Sequence, residues 1–342
     1  NINPFMALKK FLKQKIILIT GGTGSFGKYF IKYLLKNFDL KKIIIFSRDE
    51  QKQFFMANSE EFNEKKYKNL RYFLGDIRDF DRLNSAMEGV DYVVHAAALK
   101  HVSIAEYNPQ EFIKTNITGS ENIIKSAINN NVSKTVFLST DKAVNPINLY
   151  GATKLAAEKL CIAANNIVGK KKIFFSAVRY GNVIGSRGSI IEIFNRIKKS
   201  GKNTFPVTHK DMTRFWVSLD ESVQFVLESL EKMKGGEIFV PKLPSIRVMD
   251  LVKVFDSKPK IEIIGIRPGE KLHEILINKD EMRQVIEFKN NFIILPSIIY
   301  KNHPKKSVIL TKKDITRDEY SSINNQNFLN YSQIKKKIFK NK

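Results

Sequence analysis

The sequence predicts an α/β fold, a doubly wound parallel sheet of Rossmann type with a smaller C-terminal lobe. Three observations predict it. Short, continuously apolar runs alternate with amphipathic stretches through the first half of the chain. Those runs lack the period-two alternation of a half-exposed strand, so both faces of the sheet must be covered. A glycine-rich turn, TGGTGSFG, joins the first apolar run to the first amphipathic stretch, where an open α/β sheet holds a nucleotide.

In chain order, KIILIT (15–20), KIIIFS (42–47), RYFLG (71–75), DYVVHAA (91–97), KTVFLS (134–139) and KIFFSAVRY (172–180) read as strands. They are rich in β-branched or aromatic residues and bounded by turn signals. GKYFIKYLLKNF (27–38) and PQEFIKTNITGSENIIKSAINN (109–130) read as helices, and a further helix begins near residue 149. Beyond about residue 181 the alternation weakens, and Gly, Arg and aromatic residues cluster in 181–190 and 212–230. The division expected is a nucleotide-binding domain over 1–180 and a mainly substrate-binding lobe over 181–300, with some segments returning to the first domain. A lysine-rich tail over 301–342 is expected to be partly mobile.

At 342 residues the chain can bury a sizeable core. No apolar run reaches the ~18 to 20 residues of a membrane span. FMALKKFLKQK leads straight into the first strand and does not read as a signal peptide. The first methionine is Met6, so residues 1–5 read as an upstream extension or a fragment edge. The single cysteine, Cys161, excludes an intrachain disulfide and fits a reducing, cytoplasmic setting. It lies in an apolar helical stretch and reads as a small core residue. The net charge of +24 raises nucleic-acid binding as one reading. The lysines are scattered, however, and no nucleic-acid motif accompanies them, so dispersed charge that attracts anionic small molecules is preferred.

Gly21, Gly24 and Gly27 let the chain turn tightly and bring backbone N–H groups to a pyrophosphate at a helix start. The second strand ends in Ser47-Arg48, with Lys52 one turn on. Arg48 suits a 2′-phosphate, hence NADP over NAD, although Asp49 and Glu50 follow it. Asp76 could accept from an adenine amino group or serve as a turn or capping residue; the residues alone leave this open.

Tyr150 and Lys154 stand at i and i+4 on one helix face. An ammonium beside a phenol favours phenolate, which can take a hydroxyl proton while hydride leaves the same carbon. Thr140, at the end of the preceding strand, could bind the substrate alcohol.

TGGTGSFG, Ala96-Ala97-Ala98, Asn116 and YGATK together resemble the extended short-chain dehydrogenase/reductase family over residues 15 to about 275. SRDE, HAAALKHV, EYNP, STDKAVNPINLYGATK, RYGNVIGSRGS, MTRFW and IRPGEKLHE resemble, within it, the UDP-N-acetylglucosamine 4,6-dehydratases (5-inverting). Those lyases begin pseudaminic acid synthesis. A capsule-pathway branch is similar but has methionine at the position of Tyr150. The resemblance implies an NADP kept bound and recycled within each turnover. It would be held by Gly21, Thr23, Gly24, Ser25, Phe26 and Gly27, by Ser47, Arg48, Lys52, Asp76 and Ile77, by Ala96 to Ala98, Lys100, Thr115 and Asn116, and by Tyr150 and Lys154. It implies a homo-oligomer, dimer or hexamer.

A 4,6-dehydratase must oxidise C4, eliminate water across C5 and C6, and return the hydride to C6. Asp141 and Lys142 lie between the fifth strand and the Tyr150 helix, and the residues alone fit either an ion pair or a catalytic pair. The resemblance implies Lys142 as the C5 base and Asp141 as the acid for the C6 hydroxyl. Lys142 must then be neutral, and Asp141 protonated, for part of the cycle. Burial favours this and their mutual attraction opposes it. The dTDP-glucose dehydratases have Asp-Glu here, so a lysine delivering a proton to the opposite face would explain inversion. Substrate contacts are expected from Lys100, Lys142, Asn182, Val183, Arg187, Ser189, Thr208, Arg214, Arg267 and Glu270, with Arg267 suited to a bidentate phosphate contact. His101, Met212, Phe215 and Trp216 read as packing residues, and His273 and Glu274 lack partners for a metal, so none is expected. The rivals are a 4-epimerase, a 5-retaining dehydratase and, from another class, a non-catalytic NADP-sensing protein.

Overall fold

The computed structural model describes residues 3–63, 65–185, 188–297 and 318–339. Its centre is a nine-stranded sheet. The strands are β1 (Ile16–Thr20), β2 (Lys42–Ser47), β3 (Leu70–Leu74), β4 (Tyr92–His95), β5 (Lys134–Thr140), β6 (Phe174–Tyr180), β10 (Ile238–Pro241), β14 (Val285–Glu287) and β15 (Asn291–Ile294). Their order is β14-β15-β10-β6-β5-β4-β1-β2-β3. From β3 to β10 every pairing is parallel, and β15 and β14 add antiparallel to that edge. The chain reverses its direction of winding between β1 and β4, which opens a crevice at their carboxyl ends.

Helices α1 (Pro4–Leu12), α2 (Ser25–Asn37), α3 (Glu50–Ala57), α4 (Phe80–Ala86), α5 (Val102–Tyr107), α6 (Pro109–Phe112), α7 (Gly119–Asn129) and α8 (Leu149–Ala163) accompany the first strands. The expected helix over 109–130 is not uniform: a π-helical segment, Ile113–Thr118, lies between α6 and α7. Helix α1, to which the sequence reading assigned no element, starts under an Asn3 cap and buries Leu8 and Leu12. Its Phe11 stacks on Tyr92, with ring centroids 4.6 Å apart.

A second core forms around Phe194, Phe205, Trp216, Leu251 and Phe255. It is built from α9 (Ile190–Lys199), β8 (Thr204–Val207), β9 (Thr213–Val217), β11 (Ser245–Arg247), α11 (Val248–Phe255) and β12 (Lys260–Ile263). Short strands β7 (Asn182–Val183) and β13 (Ile275–Ile277) lead the chain into and out of this lobe. Between them, α10 (Leu219–Lys232) returns to pack on α2 and β5. Phe215 and Trp216 are buried, as is Cys161 in the main core. Part of the tail is built into the fold. Within it, β16 (Tyr320–Ser321) pairs with β13, and α12 (Tyr331–Phe339) buries Ile334 and Ile338 in the second core. The apolar i, i+4 pair explains the anchoring; the lysines around it hid that signal. Residues 301–317 lie outside the described residues. Among the described residues no helix is long and apolar enough to cross a membrane.

Candidate active site

The glycine turn is closed by its own geometry. Gly21 has φ +68°, and a Cβ there would sit 3.0 Å from Ala97 backbone atoms. A Cβ on Gly27 would lie 2.6 Å from the Gly21 carbonyl oxygen and the Gly22 Cα. Helix α2 therefore starts hard against the β1 turn, with Gly24 at its cap. Its first N–H groups and positive end face outward, which fits a dinucleotide pyrophosphate. Thr23 is buried, and Phe26 stacks on Phe30.

At the end of β2 the expectations are only partly met. Arg48 is half-exposed, its Nη1 3.7 Å from Asp76. Lys52 turns back to Asp49 (2.6 Å), and Asp49 caps α3 through the Lys52 N–H. Asp49 is thus a helix cap, and Lys52 is held by it. Ser47 is buried beside Gln53, whose Nε2 lies 3.0 Å from the Ser47 hydroxyl. Asp76 accepts from the Arg78 backbone at 3.0 Å and from Arg78 Nη2 at 2.7 Å. Burial works against its charge, but Arg78 and Arg48 hold its carboxyl below the usual range. Asp76 is therefore a turn residue with two cationic neighbours. Ile77 packs where a side chain on Gly119 would stand.

The loop after β4 is fixed by two polar anchors. Thr20 Oγ1 accepts from the N–H groups of Ala96 and Ala97, both at 3.2 Å. Asn116 accepts from Leu99 N–H and donates to Leu99 C=O, each at 2.9 Å, and donates to Thr153 Oγ1 at 3.0 Å. Asn116 thus orders the loop that carries Ala98 and Lys100, rather than lying open to a ligand. Its neighbour Thr115 has a buried hydroxyl with no protein partner. Burial lowers the pKa of Lys100, with Glu192 opposing.

The catalytic candidates converge on one turn. Thr140 ends β5, and Asp141–Ala143 forms a single 3₁₀ turn. Helix α8 follows at Leu149, capped by Asn148, which also donates to the Gly269 carbonyl. A Cβ on Gly151 would lie 2.1 Å from the Lys142 carbonyl oxygen. Only glycine lets the start of α8 lie on the turn, and this brings Tyr150 to Thr140, Asp141 and Lys142. Thr140 Oγ1 donates to Asp141 Oδ1 at 3.0 Å and accepts from the Lys142 N–H at 3.3 Å.

Buried charges surround this turn. Lys142 Nζ lies 3.2 Å from Asp141 Oδ1 and 3.1 Å from Glu274 Oε1. Burial disfavours its ammonium, yet the two carboxylates raise its pKa well above the usual lysine range. Asp141 goes the other way: burial raises its pKa despite Lys142. Burial pushes Tyr150 up to about 12, and Lys142 is the cation that works against this. The ammonium expected to act on Tyr150 was that of Lys154. Lys154 instead donates to the Leu138 carbonyl at 2.6 Å. Burial lowers it to about 8, with Glu158, one turn on, opposing. Glu158 is in turn held by Arg179 and Ser139.

On the substrate side, Asn182 is exposed and Val183 half-buried on β7, while Thr208 is buried just after β8. Ser189 begins α9 with a buried, unpartnered hydroxyl. Arg187 lies outside the described residues. Arg267 is exposed, and Glu270 closes the RPGE turn by accepting from the Arg267 N–H at 3.3 Å. Arg214 does not meet its expectation as a free phosphate ligand. Its guanidinium donates to the carbonyls of Thr213 (2.7 Å), Leu272 (3.1 Å) and Lys271 (2.9 Å), and Nε lies 3.8 Å from Glu274. The reason is its place on β9, facing the loop 271–274. Gly151, Asn148 and Glu274 were missed as site residues. YGATK contained Gly151, but its need for a missing Cβ depends on a turn distant from it in the helix register.

The family profile described as "Polysaccharide biosynthesis protein" matches residues 17–296. A UDP-N-acetylglucosamine 4,6-dehydratase (inverting) of Campylobacter jejuni is 55% identical over 285 residues, 83% of this chain and 84% of that protein. A UDP-glucose 4-epimerase of Rickettsia bellii is 43% identical over 330 residues, 94% of each. The X-ray structure of Pen from Bacillus thuringiensis superposes with a TM-score of 0.86 at 40% identity, covering 96% of this chain and 99% of that one. With its parallel sheet, glycine cradle and Asp141–Lys142–Tyr150 cluster, the chain belongs to the polysaccharide biosynthesis protein family, within the extended short-chain dehydrogenases/reductases.

Proposed function

We propose that the protein is an NADP-dependent UDP-N-acetylglucosamine 4,6-dehydratase that inverts C5. Its product would be UDP-2-acetamido-2,6-dideoxy-β-L-arabino-hex-4-ulose, the first intermediate of pseudaminic acid synthesis. It would act in the cytoplasm as a homo-oligomer. The observation that carries the reading is the Asp141–Lys142 turn held against Tyr150 by Gly151. The name of the 55% identical Campylobacter jejuni relative supports the substrate and the inversion.

When bound, the nicotinamide accepts hydride from C4 and returns it to C6. Arg48 selects the cofactor's 2′-phosphate, and Lys154 holds its ribose. Tyr150, as phenolate, takes the C4 hydroxyl proton. The C4 ketone acidifies the C5 proton. Lys142, as amine, takes that proton, and the C5–H electron pair forms the C5=C6 bond. Asp141 protonates the departing C6 hydroxyl, which leaves as water. After hydride reaches C6, Lys142 gives a proton to C5 on the opposite face. The balance requires that the proton Tyr150 took from C4 replace the one Asp141 gave up. Thr140, which donates to Asp141 at the end of β5 beside Tyr150, supports that return path.

The similarity to a UDP-glucose 4-epimerase over 94% of the chain supports a second reading, 4-epimerisation. It needs Tyr150 and Lys154 and leaves Asp141 and Lys142 without a task. Proton NMR of UDP-N-acetylglucosamine with the enzyme in D2O separates the two. A C6 methyl signal on an L-configured 4-keto sugar, without net NADPH, is the expected outcome. The same methyl with D configuration sinks the role of Lys142 in inversion. Conversion to UDP-N-acetylgalactosamine without a methyl signal makes the protein an epimerase.

A further inference from the structure

Glu274 belongs to none of the roles above. It precedes β13 and is 2% exposed. Its Oε1 lies 3.1 Å from Lys142 Nζ, and its Oε2 is buried with no hydrogen-bond partner. Its backbone is fixed on both sides: the N–H donates to Ser322 Oγ at 2.9 Å, and its C=O accepts from Ser322 N–H at 2.7 Å. Asp141 mirrors it, with Oδ1 3.2 Å from Lys142 Nζ and Oδ2 buried and unpartnered. One ammonium thus stands between two buried carboxylates.

We propose that Glu274 is a positioning residue of this reaction: it clamps Lys142 opposite Asp141 and so makes Asp141 the carboxyl that carries the proton.

The proposal rests on the dehydratase reading and deepens it. Two buried carboxylates beside a single ammonium cannot both ionise cheaply, so one retains a proton. The charges facing the cluster decide which one. Lys142 and Asp141 come from the turn, Tyr150 from α8, Arg214 from β9, and Lys271 and Glu274 from the loop into β13. Arg214 Nε lies 3.8 Å from Glu274, and Lys271 also faces it. Asp141 has the Thr140 hydroxyl besides Lys142, and Lys271 acts on it less than on Glu274. Glu274 is therefore the carboxylate, and Asp141 the carboxylic acid, in agreement with the opposite directions of their shifts.

The test is the pH profile of kcat for methyl formation in wild type, Glu274→Gln and Glu274→Asp. The alkaline limb reports loss of the Asp141 proton. Glu274→Gln removes the like charge beside Asp141 and is expected to move that limb down by about one pH unit, with KM within about twofold and kcat reduced about a hundredfold. Glu274→Asp is expected to restore the limb. A limb that stays in place in Glu274→Gln, whatever its kcat, overturns the proposal, because a merely structural role would lower kcat without moving it. Should Glu274→Gln fail to fold, infrared spectra of substrate-free wild type and Asp141→Asn decide. A protonated carboxyl band at neutral pH that Asp141→Asn removes is expected; its absence in wild type overturns the proposal. An enzyme that forms no methyl product sinks the dehydratase reading itself, and the infrared band still reports where the proton sits.

Discussion

Asn116 holds the backbone of Leu99 with both ends of its amide, accepting from the N–H and donating to the C=O at 2.9 Å each. It does so from a π-helical segment, where the wider turn aims the side chain at the β4 loop. Asn116→Ala leaves both Leu99 groups unpaired in a closed site. The expected cost is about 2–4 kcal/mol of stability, measured by urea unfolding, together with weaker dinucleotide binding. Unchanged cofactor affinity would show that the loop does not shape the cradle.

Gly151→Ala places a methyl 2.1 Å from a backbone carbonyl oxygen that no side-chain rotation can relieve. The turn and helix α8 must separate. A displacement of that order in a reacting pair costs about a hundredfold in rate. The expected variant binds UDP-N-acetylglucosamine normally and turns it over about a hundred times more slowly, by NMR.

Lys142→Met and Tyr150→Phe should fail at different steps. On the proposed mechanism Tyr150→Phe loses the group that takes the C4 proton, and no reduced nicotinamide is expected. Lys142→Met keeps C4 oxidation, accumulates reduced cofactor and forms methyl product at least about a thousandfold more slowly. Stopped-flow absorbance reads the first and NMR the second. Equal loss of both steps in Lys142→Met would remove Lys142 from the C5 chemistry.

Arg48→Ala tests the cofactor preference. Loss of a charge-assisted contact to a 2′-phosphate is worth about 1.5–3 kcal/mol, roughly a ten- to hundredfold weaker NADP. NAD affinity should not change. Calorimetric titration with both cofactors checks it, and parallel losses would argue against 2′-phosphate recognition.

His95 gives a pH dependence of stability. It is buried between Thr20 Oγ1 (2.8 Å) and Ser120 Oγ (3.3 Å). Ser120 donates to the Asn116 carbonyl, so His95 Nε2 carries the proton and Nδ1 accepts from Thr20. Burial, with Lys154 adding, pushes its pKa down to about 3. In the unfolded chain the value is about 6.5. Between these values the unfolded chain binds a proton that the folded one refuses. Stability is therefore fully present above about pH 6.5 and falls as pH drops toward 3, by up to about 1.4 kcal/mol per pH unit. His95→Gln should flatten this slope in urea midpoints compared at pH 7 and 5.

Much of the fold was legible because burial on both faces writes an unbroken apolar run into each central strand. Strand β2 was found at its full bounds, β5 to within a residue, and the start of α8 at Leu149. The helix at 331–339 was not legible because two isoleucines anchor it among lysines, a signal too thin without the surface they meet.

For the site, the sequence by itself determined the parts: a glycine turn after a strand, a tyrosine and lysine on one helix face, and an acid–base pair just before them. Local spacing suffices for these, since backbone geometry fixes which near neighbours share a face. Only the tertiary structure decided how they are charged. It put Glu274 and Arg214 beside Lys142 from distant segments, took Lys154 to the Leu138 carbonyl and gave Arg214 to three others. The protonation of a buried group depends on burial and on every charge within a few ångströms, whichever part of the chain supplies it, and no spacing along the chain records that.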